Sequence, residues 1–393
     1  MLGLRECTGA GYQACARLLG MLLVSMAFAA QAAQTLVAGP TGAPMTLAEA
    51  VTKAADGDTI ELLPGDYTAP LVLEQRRLTL RGMGKVLVTG GGKVGKAKAM
   101  WTVKGGAVAI ENVEFRGARS EDGGGAGVRL ESGQLTLRSC LLFDNEHGLT
   151  TGHDESAQLT IERSVFGLAP RVVGGLYHLL DVGRIGRLHV TGSRFQQGFE
   201  GHLIKSRARE TFIGYNFVHD GVRGGASYEI DIANGGLATI IGNVIGQGVD
   251  AQHRVLVAYG AEGKAWERNK LVLAHNTLIS YGWLPAWFLR SFTDRLPEDT
   301  QIVAVNNLIV GPGLFWLGSP GRFEGNRHAL SGMLRDVETH AFELVAGSVW
   351  RDSGVDPSNI DGMDLRPKAE FEFPATTVPI APRTRGSPGA YQR

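Results

Sequence analysis

TFIGYNFVHD at residues 211–220, ATIIGNVIGQ at 238–247, LVLAHNTLIS at 271–280 and IVAVNNLIVG at 302–311 are four versions of one phrase. Apolar residues alternate, the pattern breaks step, an asparagine takes the sixth place, and an apolar residue follows two positions on. The asparagines are Asn216, Asn243, Asn276 and Asn307. Read backwards along the chain, the same column holds Ser193, Ser164, Cys140 and Val113, followed by Phe195, Phe166, Leu142 and Phe115. Successive steps along the column are 27, 24, 29, 23, 27, 33 and 31 residues.

A phrase recurring at this interval is the mark of a solenoid. Alternation makes each unit a strand with one inward face. No single unit buries that face alone, so the coils must stack and share a core. The Ser/Asn column predicts an inward ladder at a corner, with side chains bonded to one another and to the turn backbone. Cys140 stands in that column and is read as a buried packing residue. The expected fold is all-β, a right-handed parallel β-helix.

The ends fit. Thr46–Ala55 holds helix formers with Leu47, Val51 and Ala54 on one face and Thr46 as N-cap, a helix suited to cover the open first coil. Residues 1–32 read as a signal peptide: Arg5 and Arg17 precede or flank the apolar run Leu18–Ala29, and Ala30-Gln31-Ala32 offers a small-x-small cleavage site. That run is too short to span a membrane. The domain plan is therefore 1–32 signal peptide, 33–320 parallel β-helix and 321–393 an irregular C-terminal tail packed on the solenoid. The expected location is periplasmic or secreted.

Removing residues 1–32 leaves 37 basic against 38 acidic residues, a balance that argues against a nucleic-acid partner. Only Cys140 of the three cysteines lies beyond that point, so no internal disulfide is expected. The glycines, 55 of 393, lack a collagen period and suit a chain with many tight turns. A monomer without transmembrane segments is expected.

The opening TLAEAVTKAADGDTIELLPGDY (46–67), the asparagine ladder and the closing SPGAY (387–391) resemble the pectin-lyase-like superfamily of parallel β-helices. GHLIKSRA (201–208), SYEIDIANGG (227–236) and VAYGAEG (257–263) further resemble a group of secreted bacterial β-helix proteins. The superfamily resemblance implies the fold, and a polysaccharide as partner. It leaves activity open, because such folds host lyases, hydrolases, esterases and non-catalytic proteins.

One constellation carries chemistry. Laying the coils over one another, with Leu180, Ile204, Ile230 and Leu256 inward, throws Asp181, Lys205 and Asp231 outward in one column. Arg207, Glu229 and Tyr259 are expected in columns beside it, with coils about 4.8 Å apart. Cleavage of an acidic polysaccharide by β-elimination needs a cation for the uronate carboxylate, a base for the C5 proton and an acid for the leaving oxygen. Lys205 or Tyr259 is the candidate base, Arg207 the carboxylate clamp, and His202 a proton carrier if it escapes the core. Asp181, Glu229, Asp231 and Asn234 are the candidate substrate-binding residues. Glu229, Asp231 and Asn234 also offer the hard oxygens that Ca2+ takes. Lys205-Ser206 resembles the lysine-bearing coil of the alginate lyase and chondroitinase B family. That resemblance implies Lys205 as base, although Asp231 stands where that family's next coil carries an arginine.

Three other readings compete. The column is also what a surface salt-bridge ladder looks like. Asp181 and Asp231, roughly 9.6 Å apart by coil spacing, would suit a glycoside hydrolase, although Lys205 between them favours both as carboxylates. A non-catalytic glycan-binding protein needs no perturbed group at all. Gly90–Lys96 (GGGKVGK) mimics a phosphate loop but lacks the Ser/Thr and the helix. His147 and His153 beside Asp154 lack a third metal ligand. Trp283, Trp287, Phe288, Phe315 and Trp316, with insertions at 262–269 and 294–300, read equally as sugar platforms or as core cover.

Overall fold

The computed structural model describes residues 32–40, 42–68, 70–90, 98–318, 321–383 and 385–392. All but Ala32 of the expected signal peptide, and all but Gly90 of the glycine-rich run, lie outside these residues.

From Gln34 onward the chain winds as a parallel β-helix. A typical coil has three strands, for example Leu180–Val182, Arg187–Thr191 and Arg194–Gln196. In earlier coils the first two merge, as in Ala99–Glu111 and Ala126–Arg138. First and second strands stack into a 19-stranded sheet and third strands into an 11-stranded sheet. The N-terminal helix is Leu47–Lys53, with Thr46 and Glu49 forming a reciprocal capping box, and it buries Leu47 and Ala50. Among the described residues no helix is long and apolar enough to cross a membrane.

The corner between second and third strands repeats one device. Its first residue is left-handed, at Asn112, Ser139, Arg163, Tyr215, His275 and Asn306 with φ between 48° and 57°. A side chain there costs roughly 1–2 kcal/mol; at Gly242 (φ 67°) the missing Cβ avoids that cost. The next residue is the ladder, which offsets the strain. Asn243 Oδ1 accepts from the Asn216 backbone N–H and from its Nδ2 at 2.8 and 3.0 Å, and Asn276 and Asn307 repeat the pattern. Each amide also donates to a backbone carbonyl of the neighbouring coil, as Asn307 does to Leu273.

The ladder runs one coil further than the phrase suggests. Asn326 Oδ1 takes the Asn307 N–H at 2.9 Å, and Arg322–Glu324 and Arg327–Ala329 pair in parallel with the coil below. The solenoid thus continues to Ala329, beyond the boundary expected at 320. This coil escapes the pattern because its step is only 19 residues and its strands are nearly all polar or exposed. The tail then packs Leu334, Phe342, Phe371 and Tyr391 onto the outer face of the third-strand sheet around Phe217, Val244, Ile279 and Leu308.

Registers fix which residues face in. Leu180, Ile204, Ile230, Val257 and Leu289 form one buried column. Val257 stands where Leu256 was expected. In a strand a one-residue offset exchanges the two faces, and this one decides the fate of Tyr259.

Candidate functional site

Asp181, Lys205 and Asp231 are register partners on three successive coils. The first strand of each coil is short and is flanked by inward residues on both sides, as in Ile204-Lys205-Ser206 with burial confined to the outer two. The pleat therefore aims all three polar side chains outward. Arg207 follows at the bend after the strand, and its Nη1 donates to Asp181 Oδ1 at 2.9 Å.

The sequence did not single out Glu262, yet it organises the patch. It belongs to the 262–269 insertion, which folds back over the first-strand sheet. Arg207 donates through Nε to Oε2 at 2.7 Å and through Nη2 to Oε1 at 2.9 Å, and Lys205 Nζ sits 2.8 Å from Oε1 as well. The loop is anchored by its backbone: Glu262 N–H donates to Ala233 O, Ala265 N–H to Asn234 O, and Trp266 Nε1 to Arg207 O. Burial raises the Glu262 carboxyl, but hydrogen bonds from Arg207 and Lys205 outweigh it and bring it down to about 2. The insertion's length was visible in the sequence; its direction of folding was not.

Asp231 lies beneath this clamp. Its side chain is 2% exposed, Lys205 Nζ is 3.9 Å from Oδ2, and Oδ1 has no hydrogen-bond partner. Burial pushes it up to about 7, Lys205 opposing and Glu262 adding to the rise. His202 Nε2 is 3.5 Å from the same oxygen. His202 belongs to a second ladder, stacked between His178 and Tyr228 with ring centroids 4.8 and 4.7 Å away. Its Nδ1 accepts the Tyr228 N–H, so the bonding pattern assigns the ring proton to Nε2, facing Asp231. Burial drives its pKa down to about 2, which leaves a neutral imidazole.

Two expected site residues are placed elsewhere, and a third is committed to the loop. Tyr259 pairs with Ile232 and Ser291 in the interior, is fully buried, and donates to Gly236 O at 2.7 Å. Burial raises its phenol further. The register offset at Val257 turns it inward, away from any substrate. Glu229 is also fully buried and neither carboxyl oxygen is hydrogen-bonded; burial first and then Asp220 push its pKa well up. It lies at the corner where the chain enters the first strand, so simple alternation from Asp231 misplaces it. Asn234 remains near the patch, but its amide donates to Gly263 O and secures the Glu262 loop.

These placements engage the candidate calcium ligands with different partners. Glu229 is buried at the strand entry, Asp231 faces Lys205 and His202, and Asn234 bonds the loop. The three oxygens do not converge, and among the described residues no group of three His, Cys, Asp or Glu side chains is arranged around a metal. His147 and His153 each spend Nδ1 on a backbone N–H, of His178 and Arg184. Of the late aromatics, Phe288 is buried, Trp316 is partly open, and Trp283 is 94% exposed at a loop tip.

No family model matches this chain, and no curated protein does. Among solved structures it is similar to the pectate lyase Pel9A, with a TM-score of 0.67 at 15% identity over 92% of this chain and 96% of that one. A second likeness, to the pectin methylesterase PemA from Erwinia chrysanthemi, has a TM-score of 0.32 at 9% identity over 75% of this chain and 80% of that one, too slight to argue from. The first likeness is one of fold, and with the stacked coils and the inward ladder it shows that this chain has a parallel β-helix fold.

Proposed function

We propose that this chain acts on an acidic polysaccharide by β-elimination, with Arg207 and Lys205 as the seat for a uronate carboxylate. One observation carries the reading: a carboxylate, that of Glu262, already sits two-pronged on Arg207 and within 2.8 Å of Lys205. A uronate carboxylate presents the same pair of oxygens. It would take the seat when the 262–269 loop swings out.

The reaction then follows from charge. Pairing the uronate carboxylate with Arg207 makes the neighbouring C5 proton more acidic. The base acts in its uncharged amine form. Lys205 takes the C5 proton, the electron pair forms the C4–C5 double bond, and the C4–oxygen bond breaks. The departing oxygen takes a proton from water. Asp231 and His202 act as positioning residues that hold Lys205 from below. No calcium step is invoked. The likeness of fold to a pectate lyase makes polygalacturonate the first polymer to try, with export as the matching expectation.

The test is ultraviolet absorbance of the unsaturated uronate product when the purified chain meets polygalacturonate, alginate and glycosaminoglycans, with and without calcium. A rise with one polymer that is lost in Lys205→Ala and Arg207→Ala supports the proposal. No rise across the panel overturns elimination. The complete pairing of Lys205 and Arg207 favours a second reading, a non-catalytic glycan-binding protein, which predicts binding without product.

A further inference from the structure

The tail packs on the outer face of the third-strand sheet as far as the strand Phe217–His219, and its edge meets Arg194 on the strand Arg194–Gln196. At that edge a cavity of about 410 Å³ opens, lined by Arg171, Arg194, Arg223, His219, Asp220 and His340 among others. Several arginines elsewhere are paired with carboxylates, Arg81 and Arg138 with Glu111, Arg119 with Asp144, Arg187 with Glu210, and Arg207 with Asp181 and Glu262. Among the described residues no carboxylate forms an ion pair with Arg171, Arg194 or Arg223. The one lining carboxylate, Asp220, is already engaged, Oδ1 by the Gly198 N–H and Oδ2 by the Ala226 N–H.

The cavity is also built, not merely basic. The Arg194 guanidinium is held between the Phe373 and Phe217 rings, 5.2 and 5.9 Å from their centroids. Its Nε is buried without a hydrogen-bond partner, and so is His340 Nδ1. A buried polar nitrogen left unpaired costs about 1–3 kcal/mol, a cost that an incoming oxygen would offset. His219 is fixed, Nδ1 accepting from Gly221 N–H and Nε2 bonded to Tyr281 Oη. Arg171 stacks over Phe199 at 4.8 Å, and Phe373 is 40% exposed beside the opening. Aromatic edges next to guanidiniums suit a ligand with both an apolar sugar face and an anionic group. The volume lies within the roughly 300–1,000 Å³ of small-ligand sites.

We infer that this cavity is a second glycan site, which takes the carboxylate- or sulfate-bearing sugar of an anionic polysaccharide on Arg171, Arg194 and Arg223. It shares with the elimination proposal only the class of polymer; its residues are separate, and it holds a chain whether or not Lys205 is a base. A long polymer gripped here as well as at Lys205 gains avidity from two attachment points.

Calorimetric titration of the purified chain tests this, with oligogalacturonate, a sulfated oligosaccharide, a neutral galacto-oligosaccharide and inorganic phosphate as ligands. The carboxylated or the sulfated oligosaccharide should bind, and the better of the two identifies the anionic group. The double variant Arg171→Gln/Arg223→Gln changes two exposed side chains, so its melting temperature should hold while affinity falls at least about tenfold. Arg194→Lys keeps the charge but loses the planar fork, and should weaken binding as well. Lys205→Ala/Arg207→Ala should still bind at this site. Equal binding of the neutral sugar, phosphate binding as well as the oligosaccharide, wild-type affinity in the double variant, or loss of all binding in Lys205→Ala/Arg207→Ala would each overturn the assignment. So would the absence of binding altogether. Elimination assays run alongside keep the two proposals distinguishable: no product with arginine-sensitive binding removes only the first.

Discussion

Arg207 grips Glu262, 55 residues further along the chain, through Nε and Nη2 at 2.7 and 2.9 Å. The pair ties a loop insertion to the strand face and occupies the seat proposed for a uronate carboxylate. A tethered carboxylate competes with every incoming one, at the high effective concentration of a short tether.

Glu262→Gln should therefore act in opposite senses on two measurements. Apparent affinity for the effective polymer, read as KM, should improve about tenfold as the tethered competitor is neutralised. The melting temperature should fall, because Lys205 and Arg207 lose a shared partner. A variant that melts lower with unchanged KM would make Glu262 a structural clamp and count against the carboxylate seat.

Stability should depend on pH with a definite sign. Asp231, raised by burial to about 7 from 3.8, binds its proton more tightly folded than unfolded. The folded chain then holds more protons between those values, so its contribution is full below pH 3.8 and declines as pH rises to 7. Asp220, raised to about 6 by burial, adds to the same decline. Glu262, brought to about 2 from 4.5, works the other way: its contribution is present above 4.5 and is lost as pH falls towards 2. Asp231→Asn should flatten the neutral limb only, with a gain at pH 8 over the gain in acid on the order of 4 kcal/mol. Denaturant unfolding at both pH values checks this; an equal effect in acid and alkali would contradict a buried, neutral-leaning Asp231.

The parts of this architecture that repeat were legible and the parts that occur once were not. Asn216 to Asn307 announce a corner because the same constraint returns every coil, and Asp181, Lys205 and Asp231 followed from alternation within strands already anchored by that corner. Tyr259 is misplaced by the one-residue register offset at Val257, and Glu229 lies where the chain enters a strand and alternation fails. Glu262 depends on which way a single insertion folds, decided by long-range bonds to Ala233, Asn234 and Arg207. The pairing of Arg194 with Phe373, in the tail, is likewise a contact between distant segments without any repeat to reveal it.

Tyr259→Phe separates packing from chemistry. The change removes one buried hydrogen bond, to Gly236 O, and leaves the ring in place. It should cost only about 1 kcal/mol in denaturant unfolding, because Gly236 O keeps the Lys270 N–H. Polymer turnover and its pH profile should not change. A large loss of turnover at unchanged stability would mean that the phenol reaches substrate after all.

The ladder column offers a comparison between two of its own members. Asn276 donates through Nδ2 to Ile240 O, Ala274 O and Asn307 Oδ1, and accepts from both nitrogens of Asn243. Asn276→Ala leaves several of these groups unpaired in the core and should cost about 3 kcal/mol or more. Cys140 stands where the column has not yet become amides. Its Sγ is 3.4 Å from Ile110 O and Arg138 O, much as Ser164 Oγ is 2.9 Å from Glu162 O one coil on. Cys140→Ser repeats a solution that the next coil already uses and should stay within about 1 kcal/mol of the parent. Burial pushes the Cys140 thiol up to about 12, so alkylating reagents should spare it in the folded chain and modify it on unfolding. Rapid native alkylation, or an Asn276→Ala variant as stable as Cys140→Ser, would show that the column is filler and does not carry the corner.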